Sequence, residues 1–308
     1  MSLVLEAARD ISARIPENLS FSDRAKWLLG EESVEREFVR FHSNGVAYYA
    51  SKLASFIGLD ERKVEEIRFG TILHDIGKLA VPETILKYPG RPPAAEMAQM
   101  KMHAAAGGIL LGPEAPVLVR NIALYHHERY DGLGYNGLRG EDIPFEARIV
   151  QIADVHDALM EKRDYKPAMS EESALLMMTQ EPAERAQFGR FGFDPFLLRR
   201  FVMMRLVDAD FHASLSTEGK AALIDYANSP PMSDFKLEDG QTLAYGWKID
   251  PNGNRSIRYV DSRSGNEKIA EMRNAQGALI YGPVGPRLNT SHDKTVEEEQ
   301  SFISSFAT

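Results

Sequence analysis

Residues 126–140 read HHERYDGLGYNGLRG, two adjacent histidines followed by four glycines within nine residues. Side-by-side histidines have no obvious packing use, whereas imidazole nitrogens are common ligands of transition metals. The chain has eight histidines, at 42, 74, 103, 126, 127, 156, 212 and 292. One of them is followed at once by an acid, in LHDIGK at 73–78. Another acid, Asp154, interrupts the apolar run RIVQIADVHDAL at 148–159, with Asp157 three residues on and therefore on the same helical face. A carboxylate in such a run is costly to bury unless it is paired or metal-bound. His42, His74, His103, His126 and His127 with Asp75 and Asp154 offer seven nitrogen and oxygen ligands. That is too many for one tetrahedral ion and enough for two ions sharing a carboxylate bridge. His212 and His292 have no useful cluster of acids or histidines around them, and His156 points away from the face of Asp154 and Asp157. These three read as structural histidines.

The elements that must position this set are helices. Apolar residues recur at helical spacing over 3–15, where Pro16 ends the run, over 33–58, and over about 60–75, 94–111, 115–127, 145–161, 170–182 and 194–206. Long alternating runs are absent up to residue 228, so this stretch reads as all-α. Paired prolines in NSPPMSD (228–234) mark a boundary. Beyond it short alternating runs appear (TLAYGWKI, RSIRYV, KIAEMR, ALIYG), with Gly253, Gly265 and Gly277 twelve residues apart in turn-like clusters. Strands separated by regular turns predict a small antiparallel meander. The expected organisation is an N-terminal helical extension over 1–32, a helical domain over 33–228, a β-meander over 235–284 and a polar tail over 285–308, with a short helix near 294–305.

Composition narrows the function classes. Hydrophobic residues make up 44% and charged residues 26% of 308 positions, ordinary values for a folded chain. A formal net charge of −9 argues against a general DNA-binding surface. The absence of cysteine removes disulfides, thiolate nucleophiles and Cys-ligated zinc. No stretch reads as a signal peptide or a membrane span, and the expectation is a cytoplasmic protein. GLGYNG at 132–137 matches G-x-G-x-x-G, but it lacks the preceding strand and following helix of a dinucleotide-binding turn. Gly77-Lys78 lacks the spacing of a P-loop.

HDIGK at 74–78, His103, HHERYDGLGY at 126–135 and IADVHDAL at 152–159 together resemble the HD-GYP family, HD-superfamily phosphodiesterases that hydrolyse cyclic di-GMP. The resemblance covers about half of the chain, from roughly Phe41 to Phe201. It implies an HD-type helical bundle, hence a mainly α fold with the small β-meander appended. It also implies that His42, His74, Asp75 and Asp154 hold one ion, and that His103, His126 and His127 complete a second, with Asp75 as the bridge. Lys78 matches the motif lysine that contacts the scissile phosphate. Arg163 and Lys166 match positions that hold the ligand's phosphates, and Tyr135 is a candidate recognition residue. A histidine-rich set suits two divalent transition metals, iron or manganese before zinc, rather than magnesium. A cyclic dinucleotide is the implied ligand and a GGDEF-domain protein an implied partner.

Two departures from the family bear on function. The usual Gly-Tyr-Pro loop here reads Gly134-Tyr135-Asn136-Gly137-Leu138, without the proline and one residue shorter. That alters the surface associated with ligand access and with GGDEF partners. Position 38, where some members carry a glutamate that binds a third ion, is Phe38, with Glu37 off the face; the expectation is two ions. The leading expectation is hydrolysis of cyclic di-GMP to pGpG and on to GMP. The alternatives are a slow or inactive ligand-binding scaffold, and a hydrolase of another cyclic dinucleotide or nucleotide phosphoester.

Overall fold

The computed structural model describes residues 2–30, 34–90, 92–161, 168–179 and 192–228, and the strands β1 Asp234–Lys236, β2 Thr242–Ile249, β3 Arg255–Val260, β4 Glu267–Arg273 and β5 Leu279–Tyr281. The polar tail and the short helix expected within it lie outside the described residues. The chain divides into two compact units, one of residues up to Ala174 with the 191–194 segment, the other of residues 175–190 and 195–295.

The first unit carries every candidate ligand. It contains α1 (Leu3–Arg14), α2 (Phe21–Gly30), α3 (Val34–Phe56), α4 (Glu61–Ile72), a 3-10 turn at Ile76–Ala80, α5 (Glu83–Leu86), α6 (Ala94–Lys101), α7 (His103–Leu111), α8 (Val117–Tyr125) and α9 (Phe145–Met160). Local chemistry sets the ends. Asp60 caps α4 by accepting from the Lys63 N–H at 2.9 Å. Helices α8 and α9 begin directly after Pro116 and Pro144. There the missing N–H costs nothing, because it would have no partner within the helix. Helix α7 ends at Gly112, whose φ of 82° suits only glycine well. Ala147, Ile149, Val150, Ile152 and Ala153 of α9 are all buried, so this helix runs through the interior.

The periodicity over 94–111 reads as one helix, but the structure breaks it at Met102. Met102 N–H bonds back to Gln99 C=O at 3.0 Å, a tightened last turn. The His103 ring nitrogen Nδ1 sits 2.7 Å from Met100 C=O, taking the carbonyl that an uninterrupted helix would offer to Ala104. The break turns His103 inward as the first residue of α7.

The 3-10 turn after Asp75 lies against α7 without a side chain between the two backbones. A Cβ on Gly77 would sit 1.9 Å from the His103 carbonyl oxygen and 2.4 Å from Gly107 N. Only glycine permits that approach, which carries Asp75 to His103. Behind the turn, Val4, Ala8, Phe21, Ala25 and Leu28 of α1 and α2 share one core with Leu73, Ile76, Ala80, Leu110 and Leu111. Arg24 ties the two parts polarly, donating to Leu110 C=O at 2.6 Å and to Ser12 Oγ at 2.7 Å. The first 30 residues therefore back the turn that carries Asp75.

Helix α10 (Glu171–Thr179) leads towards the second unit, which holds α11 (Pro195–Leu206), α12 (Ala209–Ser214) and α13 (Thr217–Asn228). Among the described residues, five strands pair antiparallel in chain order. The fold is mainly helical, as the periodicity implies. Among the described residues, no helix is long and apolar enough to cross a membrane.

Gly77→Ala should destabilise the protein by about 3 kcal/mol or more, because the added methyl meets backbone on both sides and no flexible side chain can yield. Gly30→Ala, with nothing within 4 Å of the new Cβ, should stay within about 0.5 kcal/mol of the parent. Urea midpoints of the two variants check the pair.

Candidate metal centre

His42 lies on α3, His74 and Asp75 between α4 and the 3-10 turn, His103 at the start of α7, His126 and His127 just beyond α8, and Asp154 on α9. The fold gathers them. Asp75, His103, His126 and His127 form one group and His42, His74 and Asp75 another, with ligand atoms within 4.8 Å of one another in each. Asp75 belongs to both. Asp154 closes the second group, its Oδ1 2.9 Å from His42 Nε2 and 3.9 Å from His74 Nε2. His42, His74, Asp75, His103 and His126 are all buried.

The hydrogen bonds behind the rings say which nitrogens face inward. His74 Nδ1 lies 2.6 Å from Thr71 C=O, His103 Nδ1 2.7 Å from Met100 C=O, and His126 Nδ1 3.0 Å from Ile122 C=O. A carbonyl can only accept, so each Nδ1 carries the proton and each neutral ring presents a bare Nε2. Those three Nε2 atoms converge on one carboxylate: His74 at 3.2 Å from Asp75 Oδ2, His103 and His126 at 3.2 and 3.7 Å from Oδ1. His103 and His126 Nε2 are also 3.4 Å apart. Asp75 Oδ1 and His74 Nε2 are buried with no hydrogen-bond partner. Lone pairs aimed at lone pairs in a buried site repel unless a cation lies between them. The donor set fits divalent transition metals, being imidazole nitrogen and carboxylate oxygen without thiolate.

The electrostatics agree. Burial alone would raise the Asp75 carboxyl, but the Lys78 ammonium holds it well below the usual range. Asp154 is likewise held below its ordinary value, burial being outweighed by its hydrogen bond to His42. His127 is driven well below the usual histidine value, first of all by burial, so its ring stays neutral and able to bind an ion. Lys78 Nζ lies 2.5 Å from Asp75 Oδ2, one helical turn on from the acid it faces.

His42 differs from the other rings. Its Nδ1 faces the Asp157 carboxylate at 2.7 Å rather than a backbone carbonyl. Burial alone would lower its pKa, yet hydrogen bonds to Asp154 and Asp157 push it up to about 10. Room for Asp157 comes from Gly45, one turn along α3, where a Cβ would fall 2.2 Å from Asp157 Oδ1. The sequence carried a hint of Asp157 in its spacing from Asp154, but the function of orienting His42 shows only in three dimensions. His156, read as structural, is fully buried against the Tyr49 ring at 4.5 Å and Glu171 at 3.3 Å, away from the ligands.

Tyr135 stands over the centre, its ring 4.6 Å from that of His127 and tilted 36°. Burial, then Asp75 and Asp154, push its phenol up to about 12, so it keeps its proton at neutral pH. Arg163 and Lys166 lie outside the described residues, as do the side chains of Glu37 and Phe38.

The HD domain model matches residues 20–188, more than half of the chain. The chain belongs to the HD-domain family. The resemblance to the HD-GYP group fits that membership. Over 154 residues it is 44% identical to the cyclic di-GMP phosphodiesterase response regulator RpfG of Xanthomonas campestris, covering 49% of this chain and 39% of that protein. A 3′3′-cGAMP-specific phosphodiesterase of Vibrio cholerae is 43% identical over 42% of this chain and 26% of its own length. A cyclic di-GMP phosphodiesterase of Thermotoga maritima is 41% identical over 41% of this chain and 35% of its own. The chain thus spans well under half of each relative. Among solved structures, an HDG"Y"P protein of Bdellovibrio bacteriovorus superposes with a TM-score of 0.45 at 20% identity, over 64% of this chain and 60% of that one.

Asp157→Asn should leave the fold intact and weaken metal affinity by about 10–100-fold, as loss of a ligand's orienting carboxylate does elsewhere. Competition with a graded chelator reads that change. The metal-free His42 carries a proton up to about pH 10 that an ion must displace. Affinity should therefore rise from pH 6 to pH 8, with proton release on metal uptake detected in a weakly buffered solution.

Proposed function

We propose that the chain hydrolyses a phosphodiester bond of a cyclic dinucleotide, cyclic di-GMP first, at a centre of two divalent transition-metal ions. The observation that carries this reading is the Asp75 carboxylate common to two ligand groups. His42, His74, Asp75 and Asp154 would hold one ion, and Asp75, His103, His126 and His127 the other. Two such ions supply an acidified water as nucleophile and neutralise charge on both oxygens of an in-line displacement. Iron or manganese are the leading candidates, with zinc the third.

The chain's own residues supply the rest. The backbone carbonyls of Thr71, Met100 and Ile122 hold three rings in the tautomer that points Nε2 inward. Lys78 brings a positive charge to the edge of the Asp75 carboxylate, where it can donate to a phosphate oxygen as negative charge grows in the transition state. Tyr135, protonated at neutral pH, offers an O–H donor and an aromatic face beside His127. Arg163 and Lys166 would hold the ligand's phosphates, as the positions they match do in family members.

The linear dinucleotide pGpG is the first product of this reading, and GMP the second. A 3′3′-cGAMP substrate is favoured as the alternative by the 43% identity to an enzyme named for it. The sheet of β1–β5 as a separate meander module, a GGDEF-domain partner and a cytoplasmic location belong to the same proposal.

Protein loaded anaerobically with iron or manganese should open cyclic di-GMP to pGpG at neutral pH, followed by chromatography beside a panel of cyclic dinucleotides. His127→Ala should lose at least about 100-fold in rate together with bound metal. Lys78→Met should lose a similar factor in kcat with metal content unchanged. Two bound ions without turnover of any cyclic dinucleotide would contradict the proposal.

A further inference from the structure

The loop after the paired histidines is built around a buried acid that none of the metal groups uses. Glu128 is 1% exposed, and its carboxylate accepts three N–H donors from the loop. Asn136 gives its backbone N–H at 2.6 Å and its side-chain amide at 2.9 Å to Oε1, and Leu138 N–H reaches Oε2 at 2.9 Å. Gly134 lies so close that a Cβ there would fall 2.5 Å from Glu128 Cα. Between these anchors sits Tyr135, with His127 against its ring at 4.6 Å and Lys101 Nζ 5.1 Å from the ring centroid. Lys101 also borders a cavity of about 410 Å³ lined by Pro92, Ala94, Met97 and Ala98.

We propose that Glu128 and Asn136 are positioning residues whose clamp holds Tyr135 as a wall of a binding edge, shared with Lys101 and the α6 cavity, that takes one purine-nucleotide unit of the substrate. The substrate half of this inference rests on the hydrolase reading above; the clamp half does not. A recess with both apolar and polar lining, an aromatic face and one ammonium together match a purine ring with its phosphate. The clamp also explains the departure from Gly-Tyr-Pro. Proline stiffens a loop by fixing φ, but it has no N–H. Here the N–H of residue 136 is spent on Glu128, and the asparagine amide adds a second bond to the same oxygen. Asparagine thus replaces conformational restriction by charge-assisted hydrogen bonding. Restoring the family's proline at this position would loosen the loop.

The test combines hydrogen exchange and kinetics on the metal-loaded full chain of Asn136→Pro, Asn136→Ala, Glu128→Gln and Lys101→Met. Exchange at the Leu138 amide should be slow in the parent and at least about tenfold faster in the first three variants. KM for cyclic di-GMP should rise about tenfold in all four, with kcat within about threefold and two metals retained. Asn136 and Lys101 are exposed, so those variants carry the test should Glu128→Gln fail to fold. Unchanged Leu138 exchange in Asn136→Pro would overturn the clamp. Faster exchange with an unchanged KM would overturn its part in substrate binding. Slow Leu138 exchange in a parent that neither binds nor hydrolyses any cyclic dinucleotide would refute the hydrolase reading and the binding edge while upholding the clamp.

Discussion

Three imidazole nitrogens without protons point at a single buried carboxylate, and much of the first unit is arranged to keep them there. Each ring is turned by a backbone carbonyl three or four residues before it, Thr71 for His74, Met100 for His103 and Ile122 for His126. Such an assembly of acceptors is unfavourable on its own. It becomes favourable when cations occupy the space that the acceptors surround, which makes metal binding and local order one equilibrium. The unusual local features follow from that demand: the split between α6 and α7, the glycine that lets the 3-10 turn touch α7, and the glycine on α3 that admits Asp157.

Asp75 is the point where the two ligand groups meet, and its position is set from several sides. Gly77 brings its turn against the His103 carbonyl, and the core shared with α1 and α2 presses on Ile76 and Ala80. The first two helices are distant in sequence from the histidines, yet they back the turn that carries the central ligand. Lys78 faces the same carboxylate from the outer side. A packing defect in α1 or α2 would therefore reach the centre through one short turn.

The candidate ligands were legible in the sequence as a set, because metal ligation needs particular residue types and the HD and HH pairs are rare by chance. Periodicity located most of the helices up to Leu206, since apolar faces repeat whether or not the partner is known. It joined α6 to α7, because a break made by one histidine ring bonding back to Met100 leaves no trace in hydrophobic spacing. The roles of Asp157 and Glu128 were hidden for a related reason: a charged residue in sequence reads the same whether it orients a ring, clamps a loop or meets water. Asn136 read as the loss of a stiffening proline. In three dimensions it carries two hydrogen bonds to a buried acid.

The central claim is that Asp75 stands between two ions. Anomalous diffraction at the absorption edge of the bound metal, from crystals of protein grown with iron or manganese, tests it directly. Two peaks separated by about 3.5–4 Å, one on each side of the Asp75 carboxylate, is the result expected of a carboxylate-bridged pair. A single peak, or two peaks of which only one touches Asp75, would contradict the account.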